Sequence, residues 1–190
     1  MAVGADRAEA IHVKRRRALA AVAALVLVVS AGAAAETARA TTRSETQLAA
    51  LNHEVLAAIN SFRVAHHLVP LRESPRLDAS ARQHSFEMGA DGYFAHPSAS
   101  GQAFWKRIEH YYGSSGYRYW SVGENLLWSS PDVDAATAMQ MWIASPEHLR
   151  NLLTPGWRVL GVSAVHVLDA PGVYHGLPVT IITTDFGVRH

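Results

Sequence analysis

The spacing of apolar residues changes once along this chain, at Pro155-Gly156, and that change limits the folds open to it. Upstream, Leu48, Leu51, Val55, Ile59 and Phe62 recur at intervals of three and four, the stripe of an amphipathic helix. That helix should end before Pro70, because proline disfavours helical backbone at the residue preceding it. Ser74-Pro75 predicts a second helix, with Ser as N-cap and Pro at the first helical position; Leu77, Ala81, His84 and Met88 share one face, and Gly92 is the stop. A third helix is expected over 102–112. A fourth is expected from Ser130-Pro131, with Asp132 and Asp134 in its first turn, where the helix dipole favours negative charge, and Ala135, Ala138, Met139 and Trp142 turned inward. Ser145-Pro146 repeats the start signal for a short helix over 147–152. Downstream, β-branched residues fill 159–168 and 179–186, which reads as two antiparallel strands joined by a loop carrying Pro171-Gly172. Helices first and strands last predict an α+β fold in which helices cover a small antiparallel sheet.

The N-terminal part has a different character. Residues 14–17 (Lys-Arg-Arg-Arg) precede an uncharged run of Ala, Val and Leu over 18–35, the pattern of a secretory signal. Ala33-Ala34-Ala35 and Ala38-Arg39-Ala40 both fit its small-x-small cleavage site. The run also matches the shortest spanning helices, so an uncleaved membrane anchor is the alternative. Both readings translocate the chain beyond the run, making the protein secreted or extracytoplasmic. The organisation is then a signal peptide or anchor over 1–35, a flexible linker over 36–46 and a domain over 47–190. The 190 residues include no cysteine, so the domain rests on its core alone and thiol chemistry is excluded. Residues 36–190 carry 12 Lys and Arg against 14 Asp and Glu. With no dense basic patch, nucleic acid is not an expected partner.

Three phrases carry the candidate chemistry: Tyr93-Phe94-Ala95-His96, Gly123-Glu124-Asn125, and Ser145-Pro146-Glu147-His148-Leu149-Arg150-Asn151. His96, Glu124 and His148 offer two imidazoles and a carboxylate, a donor set that suits zinc or another divalent metal with one position open. The same groups serve equally as a hydrogen-bonded cluster that orders loops. Glu124, read as a loop residue after Gly123, can fix a turn by accepting backbone N–H groups, and Asn125 is expected to bond the backbone. Ser145 reads as an N-cap, and no Gly-x-Ser-x-Gly elbow supports a serine nucleophile. His84, on an apolar helix face, reads as a core histidine. Tyr93, Phe94, Phe104, Trp105 and Trp128 fit either core packing or a ligand groove.

In this order the phrases resemble the CAP superfamily (the SCP domain), most closely its bacterial YkwD-like subtype. The resemblance runs from Leu77-Asp78-Ala79-Ser80-Ala81-Arg82-Gln83-His84 through Gly123-Glu124-Asn125-Leu126 and the Trp142-to-Leu153 stretch to Thr184-Asp185-Phe186-Gly187, about residues 48–188. It implies an α-β-α sandwich, export, and a cleft of two histidines and two acids that binds a divalent metal in several members. By position His96, Glu124 and His148 would be ligands. Asn125, Ser145 and Glu147 would line the cleft. Ser145 stands where animal members carry the second acid, and Glu147 stands where the subtype usually has Gly.

The leading functional expectation is therefore an exported, metal-capable binding module for a small apolar, glycan or peptide ligand at the cell envelope. The alternatives are a metal-dependent hydrolase using Glu124 as ligand or base, and an envelope interaction protein with a purely structural His–Glu cluster. His96, Glu124 and His148 are expected to converge on one solvent-reachable cleft.

Overall fold

The computed structural model describes residues 3–4, 9–12 and 45–190. The apolar leader run over 18–35 and the linker as far as residue 44 lie outside the described residues. The described elements, in chain order, are β1 (Val3–Gly4), β2 (Glu9–His12), β3 (Glu45–Gln47), α1 (Ala49–Ala65), β4 (Arg72–Glu73), α2 (Pro75–Asp91), α3 (Phe104–Tyr111), β5 (Trp120–Ser129), α4 (Ala135–Ala144), α5 (Pro146–Leu152), β6 (Val159–Ala170) and β7 (Leu177–Arg189). Among the described residues no helix is long and apolar enough to cross a membrane.

The helices begin and end largely where local chemistry dictates. Ser74 caps α2 by accepting from the Leu77 N–H, Pro75 follows at the first position, and Gly92 closes the helix in the left-handed conformation at φ 71°. Helix α4 differs from expectation. It starts at Ala135 rather than near Pro131, because the Asp134 carboxylate accepts from the Thr137 N–H and sets the cap there.

A mixed sheet forms the middle layer, in the order β1-β5-β7-β6-β3, with β2 antiparallel to β5 and β4 parallel to β6. The expected β6–β7 pair is present, from Val159 opposite Gly187 to Ala170 opposite Leu177. The long strand β5 was not expected. It pairs antiparallel with β7 along its whole length, from Trp120 opposite Arg189 to Ser129 opposite Thr180.

Alternation along the strands divides the core into two layers. On one face Leu127, Leu160, Val162, Ala164, Ile182 and Phe186 pack with Leu51, Val55 and Ile59 of α1 and Met139 and Trp142 of α4. On the other face, Leu126, Trp128, Val165 and Ile181 meet Met88 of α2 and Tyr174, and Trp120 and Val122 meet Leu77 of α2 with Phe104 and Ile108 of α3. The outcome is the expected α-β-α sandwich. Gly161 is where α2 comes closest to the sheet: a Cβ there would stand 2.1 Å from the Leu77 carbonyl carbon. Of the aromatic residues with two open readings, Phe104 and Trp128 are core residues, at 2% and 7% exposure.

Candidate functional site

Strand β5 sets the site. Glu124 follows Val122 onto the α2/α3 face, whereas Asn125 follows Leu127's parity onto the α1/α4 face. Glu124 is thus a strand residue and not the turn-fixing loop residue expected from its neighbours. Gly123 beside it lies against α5: an added Cβ would meet the Asn151 Oδ1 at 2.6 Å and the Trp157 ring at 2.9 Å.

His96 sits in the loop between α2 and α3, and several contacts hold that loop down. The Val173 N–H donates to the Gly92 carbonyl at 2.9 Å, and the Tyr174 hydroxyl to the Tyr93 carbonyl at 2.8 Å. His84, a buried core histidine as expected, donates from Nε2 to the Ala95 carbonyl at 2.9 Å. Tyr93 in turn donates to Glu87 at 2.8 Å. The Glu87 carboxyl is held down at about 2 by hydrogen bonding to His84 and Tyr93 that outweighs its burial.

So positioned, His96 donates from Nδ1 to Glu124 Oε1 at 2.7 Å. The other carboxylate oxygen, Oε2, is ion-paired with the guanidinium of Arg107 on α3. Arg107 also donates to the His96 carbonyl at 3.2 Å. The cluster is enclosed, with Glu124 at 0%, Arg107 at 1% and His96 at 5% exposure. Burial alone would raise the Glu124 carboxyl. Arg107 foremost, with His84 and His96, reverses that and holds it below the ordinary carboxylate range.

Asp185 completes the acidic side. It lies directly opposite Glu124 across the β5–β7 ladder, fully buried. Burial, followed by the Glu124 charge, pushes the Asp185 carboxyl well up against the opposing charge of Arg107. The direction of that shift favours the protonated form of Asp185 beside an ionised Glu124.

The third phrase is tied in from the opposite face. Asn125 donates to the His148 carbonyl at 3.2 Å, as its expected backbone role requires. Asn151 donates to the Glu124 carbonyl and to Asn125 Oδ1, each at 3.0 Å. His148 is 1% exposed, in α5. Ser145 stands at the N-cap position of α5 but makes no side-chain cap bond, and Glu147 lies in the first turn, both half-buried.

The structure thus brings His96 and Glu124 into contact and ties His148 to Asn125 through its backbone. All three candidate ligands are buried, with His96 the most exposed of them at 5%. Arg107 and Asp185 were missed in the sequence. Both left a signal: Arg107 shares the inward face of α3 with Phe104 and Ile108, and Asp185 shares the inward parity of β7 with Ile181. A charge on an apolar face implies a buried partner.

These residues do not fit a metal ion as they stand. Both oxygens of Glu124 already face protein donors, and the charge a cation would supply comes from Arg107. Among the described residues, no group of three His, Cys, Asp or Glu side chains is arranged to hold an ion.

Comparison with known proteins agrees with this architecture. "Uncharacterized protein YkwD" of Bacillus subtilis is 28% identical over 135 residues, which cover 71% of this chain and 50% of the relative. The chain therefore matches half the length of that relative. An extracellular protein containing an SCP domain from Bacillus anthracis superposes with a TM-score of 0.55 at 26% identity, over 72% of this chain and 40% of that one. An outer surface protein from Borrelia burgdorferi gives 0.61 at 17% identity, over 76% and 98%, and shows the fold alone. Residues 56–174 match the family described as "CAP: Cysteine-rich secretory protein family", and this cysteine-free chain belongs to it.

Proposed function

We propose that this chain is an extracytoplasmic, non-catalytic CAP-domain binding module whose His96–Glu124–Arg107 cluster works without a metal ion. The observation that carries the reading is the double engagement of Glu124, by His96 on one oxygen and by Arg107 on the other. A general base must present a lone pair to a substrate, and a metal ligand must present one to an ion. Glu124, fully buried between two protein donors, does neither. Its work is to join the His96 loop and α3 to the central strand. The extracytoplasmic placement is supported by the leader pattern in residues 14–35 and by the extracellular description of the Bacillus anthracis relative.

One observation favours a second reading, a metal centre: His96 Nε2 is buried and has no hydrogen-bond partner among the described residues. A single titration separates the two. Tag-free protein at pH 7.5 is titrated with zinc, and thermal unfolding is followed with and without it. A site at a hundredfold excess over its dissociation constant would add about 2.7 kcal/mol of stability. The expected result is no saturable heat and no shift in unfolding. Stoichiometric binding that disappears in His96→Ala would overturn the metal-free reading in favour of the second.

A further inference from the structure

A different part of the molecule carries a pocket lined by arginine and tyrosine side chains. Between β4, the start of α2, the end of α3 and the last residue of β7 lies a pocket of about 510 Å³. Its size falls within the range of small-molecule sites, roughly 300–1,000 Å³. Its lining is unusual for this near-neutral chain: Arg72, Arg76 and Arg189 against the single carboxylate of Glu73, with Tyr112 and Tyr117. None of the three arginines has an ion-pair partner among the described residues.

Arg189 is held rigidly. Its guanidinium carbon lies 3.9 Å from the Tyr112 ring centre and 4.5 Å from that of Tyr117, and Nη1 donates to the Gly113 carbonyl at 2.8 Å. One N–H is thereby used and the others are left to donate. An arginine stacked in this way loses little side-chain freedom on binding an anion. Arg72 and Arg76 are exposed and bring the second and third forks to the same space. Planar forks of this kind match the oxygens of a phosphate. The volume exceeds what a bare anion needs. Tyr117, 44% exposed, offers ring surface against which the C–H face of a sugar or polyol packs.

We propose that this pocket binds a phosphate ester of a sugar or polyol, with Arg72, Arg76 and Arg189 on the phosphate and Tyr117 against the carbon skeleton. The site is separate from the Glu124 cluster. Arg189 pairs with Trp120, four residues from the Asp185–Glu124 pair along both strands, which is about 13 Å. The proposal therefore stands whether or not zinc binds at His96. The bland alternative is that the Tyr–Arg–Tyr stack only fastens the end of β7 to the segment after α3, with Arg72 and Arg76 as solvated surface charge.

The test uses calorimetric titration of the purified chain in about 20 mM salt, where exposed charges are little screened. The probes are glycerol 3-phosphate, a short poly(glycerol phosphate) chain and uncharged glycerol. Both phosphate probes should bind with a dissociation constant below about 1 mM, and glycerol should not. Tighter binding of the polymer identifies a chain-borne phosphodiester as the source, and tighter binding of the monomer a free phosphate monoester. Arg72→Gln with Arg76→Gln should weaken both at least tenfold without moving the unfolding temperature, because both side chains are exposed. Arg189→Lys keeps the charge and loses the stacked fork, so affinity should fall while binding persists. Absence of saturable heat with either phosphate up to about 10 mM would overturn the proposal. So would equal affinity in the wild type and the Arg72→Gln, Arg76→Gln variant, which would put any bound phosphate elsewhere.

Discussion

Replacing Arg107 by Met tests the cluster where its energetics are sharpest. The substitution keeps an unbranched stem and removes the guanidinium that is ion-paired with a carboxylate of no solvent exposure. Breaking a buried pair by removing one partner costs about 3–5 kcal/mol. The protonation alternative sets a pH-dependent ceiling on that cost. A carboxyl with a reference pKa near 4.3 can be protonated at pH 7 for about 3.7 kcal/mol, and at pH 5 for about 1 kcal/mol. Glu124 in the variant will take the cheaper course and fold neutral. Its folded pKa then lies above the unfolded value, so the variant loses stability as pH rises through that interval. The wild-type Glu124 has the opposite sign: with its folded pKa depressed, its contribution is present above the unfolded value and is lost only as pH falls through the folded one. The penalty should therefore be close to 4 kcal/mol at pH 7.5, a fall of about 7–15 °C in unfolding temperature for a domain of this size, and close to 1 kcal/mol at pH 5. Urea unfolding at both pH values measures it. Adding Glu124→Gln should recover much of the loss at pH 7.5 and remove its pH dependence. A penalty under about 1 kcal/mol at pH 7.5, or one equal at the two pH values, would refute the account of Glu124 as a carboxylate held ionised by Arg107.

Two further substitutions probe the neighbouring structure. Asp185→Asn should leave stability unchanged near pH 4.5 and equal or raise it at pH 7.5. The wild-type carboxyl, pushed up by burial and then by Glu124, binds a proton that the unfolded chain releases, so wild-type stability falls as pH rises above about 4. A loss above about 1 kcal/mol at pH 7.5 in urea unfolding would contradict a neutral Asp185. Gly161→Ala should cost about 3 kcal/mol or more, because the new Cβ would meet backbone atoms, the Leu77 carbonyl carbon at 2.1 Å and the Asp78 nitrogen at 2.3 Å. An unchanged urea midpoint would show that α2 can lift from β6 at little cost.

The parts of the fold that sequence revealed are those set by local chemistry. Ser74-Pro75 and Gly92 bound α2 because a cap and a left-handed stop act within one turn. The β6–β7 pair was legible from its β-branched runs. Strand β5 was not, since all ten of its residues are buried, and a strand covered on both faces shows no polar alternation. Its Gly-Glu-Asn sequence instead has the composition of a turn. That one omission explains the misplacement of Glu124 in a loop. The pairing of His96 with Glu124 was legible from the family resemblance. The arginine between them was not, because it lies outside the phrases that carry the resemblance.

Strand alternation accounts for how the three phrases are joined across fifty residues. Neighbouring residues of β5 point to opposite layers. Glu124 reaches into the α2/α3 layer and binds the His96 loop and Arg107 of α3. Asn125 reaches into the other layer and holds the His148 carbonyl and Asn151 of α5. Gly123, next to both, leaves the space that the Asn151 side chain and the Trp157 ring occupy. Gly-Glu-Asn is thus a two-sided fastener on the central strand. Here the His96 loop and α5 approach β5 from different sides, and consecutive side chains of a single strand are what can reach both.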